Sequence, residues 1–163
     1  MNLPLSSCDG ERMATVLIAD DEPADFFLMK QSFEKARVVC DLRYVEDGQQ
    51  TMDYLLRQGA YQDPQTSPRP DLVLLDLNMP KLNGREVLDR IKSDPALALL
   101  PVVVLTTSDW ECDVKTCYQM GCNNYLTKPV EVTDFIEVVH ECGPYFLKLV
   151  VLPQAQWNAQ SGR

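Results

Sequence analysis

Apolar and polar positions fall into blocks along this chain, and the blocks have two different periods. Thr15-Val16-Leu17-Ile18-Ala19, Leu72-Val73-Leu74-Leu75 and Pro101-Val102-Val103-Val104-Leu105 are short, nearly unbroken apolar runs rich in branched side chains. Runs of this length between polar or proline-containing segments predict strands buried on both faces, as in a parallel sheet held between helix layers. Asp41 to Val45 predicts a weaker strand and Asn124-Tyr125-Leu126-Thr127 a short fifth one. Between the strands, apolar residues recur at helical spacing. Phe26, Met29, Phe33 and Ala36 follow Pro23, a residue suited to a first helical turn. Met52, Leu55, Leu56 and Gly59 follow a turn at Asp47-Gly48, and Gly84, Val87, Leu88 and Ile91 run up to Ser93-Asp94-Pro95. Val114, Cys117, Tyr118 and Gly121 mark a fourth helix, and Val132, Phe135, Ile136, Val139 and Cys142 a fifth. The polar, proline-rich stretch from Ala60 to Pro70 predicts a loop. Strand then helix, five times over, predicts an α/β domain with a doubly wound, five-stranded parallel sheet. Residues 1–13 carry no periodicity and read as an N-terminal arm, 14–147 as the domain, and 148–163 as a C-terminal tail.

The strands end in residues of consistent chemistry. The first delivers Asp20 and Asp21, the third Asp76, the fourth Thr106 and the fifth Lys128. In a parallel sheet these ends share one edge, where ligands and chemistry gather in open α/β folds. A carboxylate is too costly to leave unpaired in the interior, so Asp76 belongs at the strand exit, just before the turn Asn78-Met79-Pro80. Three neighbouring carboxylates repel one another, and a hard divalent cation such as Mg²⁺ resolves this. Asp21 and Asp76 are candidates to bind it directly, Asp20 through water, and the backbone carbonyl of Asn78 to add another oxygen. Asp76 is then a candidate nucleophile for phosphoryl transfer, forming an aspartyl-phosphate. Lys128 and the cation supply positive charge to the moving oxygens, and Thr106 a hydrogen bond. Taken singly, Asp20 and Asp21 could be helix caps, Thr106 a turn residue and Lys128 a solvated lysine. Their order and common edge favour the functional reading.

Composition narrows the partners. A net charge of −9 without a basic stripe argues against binding a nucleic-acid backbone. No apolar stretch reaches membrane-spanning length, and Met1-Asn2-Leu3-Pro4 lacks a signal-peptide start, so the expectation is a cytoplasmic protein. The six cysteines form no CxxC pair and His140 is the only histidine, which leaves a zinc site without support. Free thiols packed as small apolar groups are expected. His140 is given no catalytic role, and Trp157 could anchor a partner or simply lie at a loosely packed end.

Four motifs extend this reading. Val16-Leu17-Ile18-Ala19-Asp20-Asp21-Glu22, Leu74-Leu75-Asp76-Leu77-Asn78-Met79-Pro80 with Asn83-Gly84, Leu105-Thr106-Thr107-Ser108, and Tyr125-Leu126-Thr127-Lys128-Pro129 follow one another at suitable separations. Together they resemble the receiver domain of two-component response regulators. The resemblance implies a flavodoxin-like (βα)5 fold with strand order 2-1-3-4-5. It implies that Asp76 accepts phosphate from a phosphohistidine on a sensor histidine kinase, that Asp20 and Asp21 are the acidic pair, and that Lys128 is the site lysine. It also implies that Thr106 is the switch hydroxyl, that Tyr125 is the aromatic that moves inward on activation, and that Lys128 and Pro129 share a cis bond. Arg85-Glu86-Val87-Leu88, Ile91-Lys92-Ser93-Asp94-Pro95 and the loop Tyr61 to Pro70 are similar to the small regulators paired with bacterial phytochromes, which implies a phytochrome-like kinase as partner. The chain departs from that subgroup in its longer N-terminal arm and in Asp20-Asp21-Glu22, where Glu-Asp-Ser is more usual. The length leaves no room for a DNA-binding output domain, so the expected output is protein–protein contact. One form would be homodimerisation through helix four, strand five, helix five and the apolar tail. A phosphatase of the haloacid dehalogenase type would need a second aspartate where Asn78 stands. A pseudo-receiver would have lost an acidic residue, the threonine or the lysine. The expectation is therefore a phosphoacceptor that assists its own phosphorylation and dephosphorylation, not an enzyme in the usual sense.

Overall fold

The computed structural model describes residues 13–108, 110–128, 133, 134 and 137. Five strands, β1 (Thr15–Ala19), β2 (Asp41–Val45), β3 (Leu72–Leu75), β4 (Val102–Thr106) and β5 (Asn124–Thr127), form one parallel sheet in the order β2-β1-β3-β4-β5. Helices α1 (Pro23–Lys35), α2 (Gly48–Leu56), α3 (Gly84–Ser93) and α4 (Glu111–Gln119) follow the first four strands, with a 3₁₀ turn at Gly59–Tyr61. This is the doubly wound, flavodoxin-like order expected from the sequence. Of the expected fifth helix, Thr133, Asp134 and Glu137 have helical backbone. Its remaining residues lie outside the described ones, as do His140, Trp157, Cys8, Cys142, the Lys128–Pro129 bond, residues 1–12 of the arm and the whole tail.

The apolar runs are unbroken because the sheet is buried on both sides, and alternate residues serve different cores. Leu17, Ala19, Val73, Leu75, Val102 and Val104 point to one face, where Met52 and Leu55 of α2, Val87, Leu88 and Ile91 of α3 and Cys117 of α4 cover them. Val16, Ile18, Leu72, Leu74, Val103 and Leu105 point to the other, against Met29 and Phe33 of α1. Leu17, Leu75 and Val104 are wholly buried. Each such side chain contributes roughly 1.5–3 kcal/mol relative to exposure. Phe26 stacks on Tyr44 with ring centroids 4.4 Å apart, whereas its neighbour Phe27 faces solvent.

The expected turn at Asp47-Gly48 leads straight into α2, where Asp47 caps the helix, accepting from the Gln50 N–H at 2.7 Å, and Gly48 is the first helical residue. Several local expectations are corrected. Leu56 is exposed, and α2 stops at Arg57 in the left-handed region (φ 56°), which leaves Gly59 outside it. Gly121, with φ 97°, lies beyond α4, of whose residues only Cys117 is fully buried. In α3 the expected start and stop both hold. Asn83 and Glu86 form a reciprocal capping box, and Asp94 is the C-cap.

Among the described cysteines, Cys40, Cys112, Cys117 and Cys122 are all free thiols. Cys117 and Cys122 are buried as expected, and Cys112 is exposed. No helix of the described residues is long and apolar enough to cross a membrane.

Candidate functional site

Because the strands are parallel, their carboxyl ends bring residues distant in sequence to one edge. Asp20 and Asp76 each stand immediately after a strand, β1 and β3, and both are buried. Asp20 accepts from the Glu22 N–H at 3.0 Å, and Asp76 from the Asn78 N–H at 3.2 Å. Lys128 stands immediately after β5, and its backbone N–H donates to the Thr106 carbonyl at 2.6 Å. Its ammonium donates to Asp20 Oδ2 at 2.5 Å, Asp25 Oδ2 at 2.7 Å and Asp76 Oδ2 at 3.0 Å. Charges this deep are tolerated only when paired and fully hydrogen-bonded, and here the pairing is dense. Burial acts to lower the Lys128 pKa, but its hydrogen bonds to Asp20 and Asp25 and its attraction to Asp20 and Asp76 outweigh this and raise it. Burial pushes Asp20 up to about 6, despite the opposing pull of Lys128.

Asp21 is exposed beside this buried group. Oxygens of Asp20, Asp21 and Asp76 all lie within 4.8 Å of one another. Three hard carboxylate donors, with no sulfur or imidazole among them, fit a hard divalent cation such as Mg²⁺ or Mn²⁺. Asp20 adds a pH dependence. A carboxyl whose folded pKa lies above its unfolded value contributes stability that is fully present below the unfolded value, near 4, and is lost as pH rises through about 6. We expect the metal-free chain to lose this contribution between those limits, and Asp20→Asn to flatten that part of a denaturation-versus-pH profile. A divalent cation, which needs the ionised carboxylate, should bind more weakly as pH falls through the same window. Calorimetric titration at two pH values would check this, and equal affinity at both would contradict it.

Thr106 ends β4 and is wholly buried. Its Oγ1 accepts long hydrogen bonds from Asn78 Nδ2 at 3.5 Å and the Ser108 N–H at 3.4 Å, which link it to the Asp76 turn. Tyr125 is half-buried, and its hydroxyl donates to the Ser108 carbonyl at 2.7 Å. The sequence-predicted residues thus form two tiers. Asp20, Asp21, Asp76 and Lys128 are in direct proximity, Thr106 joins through Asn78, and Tyr125 joins through Ser108.

Two features escaped the sequence reading. Asp25, in the first turn of α1, is a third carboxylate on Lys128; at that position it reads as a polar helix residue suited to the helix dipole. The second is a polar chain in which Ser108 Oγ donates to Asp113 Oδ2 at 2.6 Å and Arg85 pairs with the same carboxylate. The Ser108 hydrogen bond and then Arg85 hold the Asp113 carboxyl below the usual range. Nothing in the spacing of Arg85 and Asp113 announces that pair.

Residues 16–140 match the response regulator receiver domain family. The response regulator Rcp1 of Synechocystis sp. is 41% identical over 140 residues, covering 86% of this chain and 93% of its own length. The crystal structure of the phosphorylated cyanobacterial phytochrome response regulator RcpA superposes with a TM-score of 0.82 at 37% identity, covering 88% of this chain and all of that one. The Mn²⁺-bound form of Rcp1 does so with a TM-score of 0.79 at 41% identity, over 86% of this chain and 99% of that one. With the strand order matching as well, this chain belongs to the response regulator receiver domain family of two-component signalling.

Proposed function

We propose that the chain is a phosphoacceptor whose Asp76 takes a phosphoryl group from a phosphohistidine of a sensor histidine kinase. The observation that carries this is the buried Asp76 carboxylate, held at one oxygen by Asn78 and at the other by Lys128, within reach of two further carboxylates. An Asp76 oxygen forms the new bond to phosphorus as the P–N bond of the donor breaks, and the departing imidazole keeps the electron pair. Lys128 neutralises charge on the phosphoryl oxygens. Asp20, Asp21, Asp76 and the Asn78 carbonyl would hold Mg²⁺, which when bound supplies positive charge to the same oxygens. Thr106 would donate to a phosphoryl oxygen, and its displacement would reach Tyr125 through Ser108 and alter the α4–β5 surface.

The named relatives Rcp1 and RcpA, the latter a phytochrome response regulator, support a phytochrome-like kinase as donor. The protein is a signalling receiver and not a classical enzyme. The receiver unit is taken as residues 14–147, flanked by an arm at 1–13 and a tail at 148–163. Homodimerisation through the α4–β5 face, the following helix and the tail is the proposed form of output, in the cytoplasm. Light scattering with and without phosphate tests it, since a monomer in both states would remove it.

Intact-mass spectrometry after incubation with acetyl phosphate and Mg²⁺ tests the acceptor chemistry. One phosphate adduct is expected on the native chain, and none on Asp76→Asn or without the cation. An adduct that survives Asp76→Asn would move the chemistry to another residue.

A further inference from the structure

Lys128 has three N–H donors and spends all of them on carboxylates. Two of those partners have other work. Asp20 and Asp76 belong to the acidic cluster that fits a cation, and the Asp76 carboxyl gives up its own negative charge when it becomes an acyl phosphate. Asp25 does neither. It comes from α1, lies outside the cluster, and among the described residues its carboxylate is hydrogen-bonded to the lysine alone. Its place is fixed locally: Pro23 opens the helix, and the Asp25 N–H bonds the Glu22 carbonyl at 3.0 Å. The far end of the lysine is fixed as well, through its backbone bond to Thr106. Between these points runs a flexible four-carbon stem, so without a dedicated partner the ammonium would sample several positions.

We propose that Asp25 is a positioning residue for phosphoryl transfer: its carboxylate keeps the Lys128 ammonium at the strand ends while the cation and the phosphoryl group draw on Asp20 and Asp76. The proposal rests on the reading of Asp76 as the acceptor and deepens it. A purely structural Asp25, serving only the α1 dipole, would predict a small stability loss and an unchanged reaction.

The test compares native chain, Asp25→Ala and Asp25→Asn, the last retaining an acceptor oxygen without the charge. With acetyl phosphate at saturating Mg²⁺, phosphorylation of Asp25→Ala should be about tenfold slower, the loss expected from one hydrogen bond to a charged group. Asp25→Asn should recover most of the rate, and Mg²⁺ affinity should stay the same in all three. In the metal-free proteins, acetylation of Lys128 by an N-hydroxysuccinimide ester, read by peptide mass spectrometry, should be several-fold faster in Asp25→Ala. A native rate in Asp25→Ala, an Asp25→Asn as slow as the alanine variant, or native Lys128 labelling in Asp25→Ala would each overturn the proposal. A fall in Mg²⁺ affinity that accounts for the rate would overturn it too, placing Asp25 in the cation site. If the native chain takes no phosphate, the acceptor reading fails, and the labelling arm still decides whether Asp25 holds Lys128.

Discussion

Lys128→Met should lower the stability of the metal-free chain by about 3–5 kcal/mol at neutral pH, the usual result of removing one partner from a buried charge group. Methionine fills most of the lysine's volume, so the loss is electrostatic and not a cavity effect. Asp20 and Asp76, both buried, and the partly buried Asp25 would be left with no cation among them. The group has one relief. Asp20 already sits near 6 with Lys128 present, and without the lysine it should take up its proton at still higher pH. The deficit should therefore shrink on acidification toward pH 5, and also on adding Mg²⁺, which binds the folded chain and restores positive charge. Urea denaturation at both pH values, with and without the cation, measures all three effects. A variant as stable as the native chain at neutral pH would mean that the ammonium contributes no net stabilisation. Phosphorylation by acetyl phosphate should fall about 10²–10³-fold, the scale of losing one preorganised charge donor.

The second large effect is expected at Gly84, the first residue of α3. A Cβ there would lie 2.2 Å from the Asp76 carbonyl oxygen and 2.6 Å from Leu77 Cα. Both are backbone atoms, so no side chain can swing aside. Gly84→Ala must push the start of α3 away from the Asp76 turn by roughly 1 Å, or move Asp76 itself. Overpacking of this kind costs about 1–3 kcal/mol and sometimes more. The capping box at Asn83 and Glu86 holds the helix start in place, so strain should be passed to the turn that carries Asp76 and Asn78. A displacement of that size at a reacting group can lower a rate about 10²-fold. Measuring phosphorylation rate and thermal stability on the same variant separates the two costs. A near-native rate in a destabilised protein would show that α3, and not Asp76, absorbed the shift.

The parts of this architecture that follow from local rules were readable. Strands buried on both faces leave unbroken apolar runs, and the polar residue that ends each run must sit at the sheet edge. Asp20, Asp76, Thr106 and Lys128 could therefore be placed relative to one another before any coordinates. Helix ends were less legible, because the residue that stops a helix need not break its apolar spacing. Gly59 and Gly121 fitted the stripe by position but lie past helices that had already ended. Tyr118 fitted it too, yet it faces outward and its hydroxyl bonds the Asn124 side chain and the Tyr125 N–H. Asp25 was invisible for a different reason. An aspartate in a first helical turn has an adequate local explanation, and its partner lies 103 residues away. The same holds for Arg85 and Asp113, each unremarkable on its own helix.

The two outer strands bear on how this sheet avoids growing. Among the described residues β2 and β5 are the edges, and an edge strand offers a row of backbone donors and acceptors to any other chain. On β2, Asp41 and Arg43 stand two residues apart and pair at 2.9 Å, while the Arg43 guanidinium also reaches the Thr66 carbonyl. An incoming strand would have to desolvate that pair and displace the loop behind it. On β5, the Tyr118 hydroxyl takes up the Tyr125 N–H. Strand addition at either edge should therefore be disfavoured while the domain stays folded, so that templated cross-β growth has to wait for unfolding.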